Sequence, residues 1–173
     1  MVSLPAVRLQ LLPEITGWKV PLTAKAAEQE SGAMTGFDLD RFVSAQVPVY
    51  ASALAELKLG RKESHWMWFV FPQIAGLGRS PKAVRYALAS LAEARAYLDH
   101  PLLGPRLGEC VEALLAHRGR SAEAILGPID AVKLRSSMTL FEAAADASAK
   151  PPFAACLDAF FAGVRDPATL ERI

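Results

Sequence analysis

Two stretches of the chain gather side chains that could do chemistry. Residues 60–80 read Gly-Arg-Lys-Glu-Ser-His-Trp-Met-Trp-Phe-Val-Phe-Pro-Gln-Ile-Ala-Gly-Leu-Gly-Arg-Ser, and five of the six positions from 66 to 71 are aromatic or Met. Trp66 and Trp68 offer faces on which a planar ring could stack, with Lys62, Ser64, His65 and Gln73 at the edges of the aromatic run. The Gly76-Leu77-Gly78-Arg79-Ser80 loop then leads to a helix start at Pro81, where backbone N–H groups can approach an anion. Gly78 and Ser80 are therefore candidate phosphate contacts. This Gly-x-Gly follows no strand and lacks the rest of a dinucleotide or P-loop fingerprint, so an ordinary turn competes with the phosphate reading.

The second stretch is Ile129-Asp130-Ala131-Val132-Lys133-Leu134-Arg135-Ser136-Ser137. Asp130, Lys133 and Ser137 are spaced by three and four residues, so on a helix a carboxylate, an ammonium and a hydroxyl share one face. The competing reading is an N-cap aspartate with an ordinary ion pair. Taken together, the two stretches outline a pocket for a nucleotide-like small molecule. Lys62 and Lys133 would hold phosphate, while Trp66, Trp68 and Gln73 would wall the ring. If an N-glycosidic bond is cleaved there, Asp130 would stabilise developing oxocarbenium charge or orient water, with Lys133 and His65 as the other catalytic candidates. Against this stands a plainer alternative, in which the aromatic run is only a packing hub and the chain is a non-catalytic helical module that binds protein.

Other chemistries find no support. The three histidines, at 65, 100 and 117, form no His-x-x-x-His, and no Cys-x-x-Cys is present, so neither a metal site nor another cofactor is expected. No Gly-x-Ser-x-Gly elbow occurs. His100 precedes a proline and suits a turn or cap, whereas His117 near a helix end suits the dipole.

The elements that must position these residues are helices. From Asp38 onward no stretch alternates with the period of two that strands require. The expected fold is all-α: a single compact multi-helix domain over 34–173, built around a buried aromatic helix. Asp38 or Asp40 caps a first helix to about Lys58, which Pro48 kinks or breaks and Gly60 ends. Ser64 caps a short helix from His65 to Phe71. Ser80-Pro81 opens a helix to about Asp99, and His100-Pro101 opens another that closes before Gly119. Ser121 caps a turn to Leu126, Asp130 heads a helix to about Asp146, and Pro151 to Phe161 forms a helix stopped by Gly163. Asp166-Pro167 starts a last turn.

Residues 1–33 stand apart, with Pro5, Pro13 and Pro21 widely spaced and no sustained apolar period. They are expected to be a loosely ordered extension, either a real arm or a start-site or vector artefact, with Met34 a second candidate start. They lack the pattern of a secretory signal, which points to the cytoplasm. The 173 residues suit one core; 52% hydrophobic and 21% charged residues exclude a disordered chain. No apolar stretch nears the roughly 18 residues a bilayer requires, so no membrane is expected as a partner. A net charge of +1 gives no footprint for nucleic acid. Cys110 and Cys156 lie in apolar patterns and are expected as buried thiols.

The run from Gly60 to Gln73 with Gly-Leu-Gly-x-Ser after it resembles the signature of a bacterial family of unknown function whose members often carry a calpastatin label. The resemblance continues through Ala96-Tyr97-Leu98-Asp99-His100-Pro101-Leu102-Leu103-Gly104-Pro105-Arg106-Leu107, Asp130 to Phe141 and the closing Phe160-Phe161-x-Gly segment, spanning Phe37 to Leu170. It implies a compact, mostly helical fold. Calpastatin itself is a disordered inhibitor, opposite in character to this apolar chain, so the label carries no function here. More loosely, the order of Gln46-x-x-x-Tyr50, a Lys and Trp segment and a later Asp/Lys helix is similar to that of helical domains that process NAD and ADP-ribose.

Overall fold

A proline without an N–H, a left-handed glycine and a set of hydroxyl caps divide the chain into short helices. The structure, a computed structural model, describes residues 36–146 and 152–173, and the expected extension over 1–33 lies outside them. The described residues form α1 (Asp40–Gln46), α2 (Tyr50–Lys58), α3 (Met67–Val70), α4 (Pro81–Arg85), α5 (Leu91–Asp99), α6 (Leu103–Leu115), α7 (Ala122–Leu126), α8 (Pro128–Ala144), α9 (Pro152–Phe161) and α10 (Pro167–Leu170). The fold is all-α, as expected. None of these helices is long and apolar enough to cross a membrane.

Several boundaries follow the sequence rules. Pro48 breaks the first helical pattern into α1 and α2, and Gly60 ends α2 at φ +65°. Ser80, Ser121 and Asp166 each accept a hydrogen bond from the backbone N–H three residues on. The His100 ring does the same work for α6, its Nδ1 accepting from Leu102 N and Leu103 N at 3.2 and 3.3 Å.

Three expectations are corrected. The helix expected over His65–Phe71 is a single turn, α3, and Ser64 does not cap it: its hydroxyl donates to Glu56 Oε1 instead. Asp130 is not a cap either, because α8 begins two residues earlier at Pro128, after Gly127 at φ +81°. The largest correction concerns the helix expected from Pro81 to Asp99. It is two helices, with Tyr86–Ser90 between them, and the interruption has visible causes. Leu88 pairs with Ile74 in an isolated parallel bridge, donating to Gln73 O at 2.9 Å while its carbonyl accepts from Ala75 N at 2.8 Å. Arg41 donates to the Arg85 and Ala87 carbonyls at 3.0 and 2.9 Å and pairs with the buried Glu93 at 2.7 Å. Glu93 in turn accepts from Ala89 N, and Ser90 caps α5. Tertiary bonds thus satisfy the backbone groups that a continuous helix would have paired.

Around α8 the core closes. That helix packs against α5, α7, α9 and α10, while α6 covers α2, α5 and α9. Phe42, Tyr97, Phe141 and Phe153, drawn from α1, α5, α8 and α9, form a ladder of rings with successive centroids 5.1, 5.3 and 5.7 Å apart. Trp66, Met67, Phe69, Val70 and Phe71 are buried beside it, and both cysteines are buried free thiols. The expected buried aromatic segment is therefore present, though it shares the centre with this ladder.

Gly104 sets the approach of α6 to the end of α5. A Cβ at this position would stand 2.0 Å from the Leu98 carbonyl oxygen, a backbone atom that cannot swing aside. Gly104→Ala should therefore lower stability by about 1–3 kcal/mol or more through overpacking, read as a fall in urea midpoint at unchanged slope.

Candidate functional site

Glu56 organises the segment that carries the first group of candidate residues. Its carboxylate, on α2, accepts from Glu63 N at 2.8 Å, Ser64 N at 3.1 Å, the Ser64 hydroxyl at 2.5 Å and the Trp66 indole N–H at 2.8 Å. Burial alone would raise its pKa, but these hydrogen bonds outweigh it and draw the group from 4.5 down to about 2. The Lys62 backbone N–H donates to Ile125 O at 2.8 Å, fastening the same loop to the end of α7. Gly127 then turns the chain directly into α8, so that the first turn of α8 meets the Lys62 loop.

At that meeting point Asp130 lies between two ammonium groups. Lys62 Nζ is 2.8 Å from Asp130 Oδ2, and Lys133 Nζ is 2.7 Å from Asp130 Oδ1. Lys62 also donates to the Ser64 carbonyl at 2.6 Å and sits 5.1 Å from the centre of the Trp66 ring. Trp68, half-buried, has Lys133 Nζ 4.6 Å and Lys82 Nζ 5.0 Å from its ring centre. The side chains of Lys62, Asp130 and Lys133 are 10%, 16% and 21% exposed, so the group is sheltered yet open to solvent.

The electrostatics are lopsided. Burial pushes the Asp130 pKa up, but hydrogen bonds from Lys133 and Lys62 overcome it, and the carboxyl is held below its ordinary value. Asp130 is therefore ionised at neutral pH and cannot serve there as a general acid. Each of its oxygens already faces an ammonium. Three lysines gather around Trp68 and Asp130 against this one carboxylate, which leaves an excess of positive charge beside an aromatic ring.

Of the residues that the sequence singled out, the structure brings together Lys62, Asp130, Lys133 and Trp68, with Ser64 contributing its carbonyl rather than its hydroxyl. Others do not join them. Trp66 is fully buried and has no face left for a ligand. Ser137 is fully buried as well, and its hydroxyl makes no hydrogen bond among the described residues, so it does not complete the expected trio with Asp130 and Lys133. His65 is exposed and stands outside the hydrogen-bonded group. Gln73 works through its carbonyl, which accepts from Leu88 N. Ser80 caps α4, and a Cβ at Gly78 would come within 2.4 Å of the Ala83 Cβ, so these two residues form the close turn into α4.

Sequence reasoning passed over Glu56 and Lys82. Nothing local distinguishes Glu56 from any other helical glutamate, and Lys82 is visible in sequence only as an ordinary first-turn residue behind Ser80-Pro81. Among the described residues no three His, Cys, Asp or Glu side chains gather as a metal would require.

Comparison with known proteins places the chain among relatives. The family model described as "Protein of unknown function (DUF1810)" matches residues 36–173. The crystal structure of the conserved hypothetical protein Rv1873 from Mycobacterium tuberculosis is 55% identical, with a TM-score of 0.76 over 79% of this chain and 96% of that one. No curated protein matches the chain.

Because the folded-state pKa of Glu56 lies below its unfolded value, its stabilisation is complete above pH 4.5 and is lost as pH falls toward 2. Glu56→Gln should cost about 2 kcal/mol near neutral pH, since four donors lose a charged acceptor. The gap in melting temperature between wild type and variant should narrow steadily as the pH is lowered through that window.

Proposed function

We propose that this chain, which belongs to the family described as protein of unknown function (DUF1810), binds a small anionic ligand with a planar ring, of the nucleotide or ADP-ribose kind, at Lys62, Lys82, Lys133 and Trp68. One observation carries the reading: among the described residues, Lys82 and Lys133 flank the half-buried Trp68 indole, and Lys62 joins Lys133 from a third segment through the Asp130 carboxylate that the two share. Cations held in place before the ligand arrives suit phosphoryl oxygens, and the indole suits a base or another flat group. Lys62 and Lys133 are sheltered from bulk water, which strengthens their contacts, whereas Lys82 is exposed.

Binding is favoured over catalysis. An N-glycosidase would need Asp130 to face a developing oxocarbenium or to orient water, and an ionised carboxylate has the right charge for either. Here, however, both of its oxygens are engaged by lysines. The cleavage reading therefore requires a rearrangement that the binding reading does not. The other reading, a non-catalytic module that docks on protein, draws on Ile129 and Val132, which are 73% and 64% exposed on adjacent turns of α8.

A thermal-shift series on the full chain tests the binding reading with AMP, ADP, ADP-ribose, NAD and free nucleobases. A ligand present at a hundred times its Kd should add about 2.7 kcal/mol to the apparent stability. The phosphorylated compounds should raise Tm and the free bases should not. The shift should shrink with added salt and vanish in Lys62→Met and Lys133→Met variants that still melt cooperatively. A panel in which nothing moves Tm would pass the argument to the protein-docking surface.

A further inference from the structure

The position of Asp130 bears on how such a site would be filled. Lys133 lies one turn from Asp130 on the same helix, whereas Lys62 reaches it from a loop anchored elsewhere. Lys62 does not depend on the carboxylate for its placement, because the Ser64 carbonyl at 2.6 Å and the Trp66 ring at 5.1 Å also hold it. Lys133 Nζ likewise stands 4.6 Å from the Trp68 ring centre, so Asp130 could leave while both ammonium groups stay in position. A phosphoryl group, like a carboxylate, can present two oxygens to two cations and so match the bridge that Asp130 makes. The seat lies in the first turn of the long helix α8, whose N-terminal end also favours negative charge.

Resting on the ligand reading above, we infer that Asp130 is an internal occupant of the anion seat: its carboxylate fills the place between Lys62 and Lys133 that an incoming phosphoryl group takes. The ligand must displace it from Lys62 to bind. Asp130 thereby sets a threshold, turning away weak monoanions and admitting groups with enough charge to outcompete a tethered carboxylate. The consequence runs against the usual expectation for an acidic residue in a functional cluster, since its removal strengthens binding.

Calorimetric titration of the full chain with inorganic pyrophosphate and with ADP, at low salt, separates the outcomes. Asp130→Asn and Asp130→Ala should each bind about tenfold more tightly than wild type, because a like charge no longer competes for the two cations. Binding by Asp130→Asn where wild type shows none supports the same conclusion. Equal or weaker binding by both folded variants, with wild type binding and Lys133→Met not, would show that Asp130 orients the lysines; the inference then falls while the ligand reading stands. No heat from wild type or either Asp130 variant overturns both.

Discussion

Trp66 can be buried only because the Glu56 carboxylate accepts its indole hydrogen. An unpaired indole N–H inside the core would forfeit much of what the ring gains by burial. The same carboxylate also takes both backbone donors of Glu63 and Ser64 and the Ser64 hydroxyl, so a single group on α2 fixes the whole approach to the aromatic segment. Lys62 lies on that approach. Its backbone is fastened to α7 and its ammonium to the Ser64 carbonyl, so the contacts that bury the aromatic core also place a sheltered cation. A buried amide plays a matching role at the other end of the aromatic run, where Gln46 donates to the Phe69 carbonyl at 2.8 Å and to the Tyr97 hydroxyl at 3.0 Å. The hydrogen bonds of Glu56 and Gln46 thus pin both ends of the aromatic run and favour a single arrangement of its residues.

The interruption between α4 and α5 has a similar logic. Arg41 and Glu93 form a sheltered ion pair, and between them they engage Arg85, Ala87 and Ala89 of the intervening backbone. A continuous helix from Pro81 would have been locally acceptable, since nothing between 82 and 99 is proline or glycine. Tertiary bonds prevail because they satisfy the same backbone groups and also pair a buried charge. Ending α4 at Arg85 leaves it a short element, and its lysine at 82 stands against the Trp68 ring, joining the charge cluster at the start of α8.

That cluster joins two kinds of constraint. The i,i+3 pair of Asp130 and Lys133 belongs to one helix and is a modest interaction wherever it occurs. Adding Lys62 from a separate segment changes its character, because one carboxylate now answers two sheltered cations while a third stands on the neighbouring ring. Positive charge left in excess beside an aromatic ring is a feature that fold stability alone does not require. It can be turned to an anion.

The sequence by itself determined the helical class, most helix ends and the burial of the aromatic run. Caps such as Ser80, Ser121 and Asp166, and stops such as Gly60 and Gly163, act over three or four residues, so their effect is written locally. The pairing of Asp130 with Lys133 was legible for the same reason. Ser137 shares the helical spacing of that pair yet is sunk in the core, because spacing places a residue on a face while the neighbouring helices decide what covers it. Likewise Ser64 has the chemistry of a cap, and the nearby Glu56 took its hydroxyl instead. Only the tertiary structure decided that Lys62 meets Asp130 and that Lys82 and Lys133 flank Trp68, since the partners arrive on separate segments and no periodicity links them. Local pattern reports bonds that close within a turn or two of chain; a site assembled across the fold depends on packing, which the linear order of residues does not display.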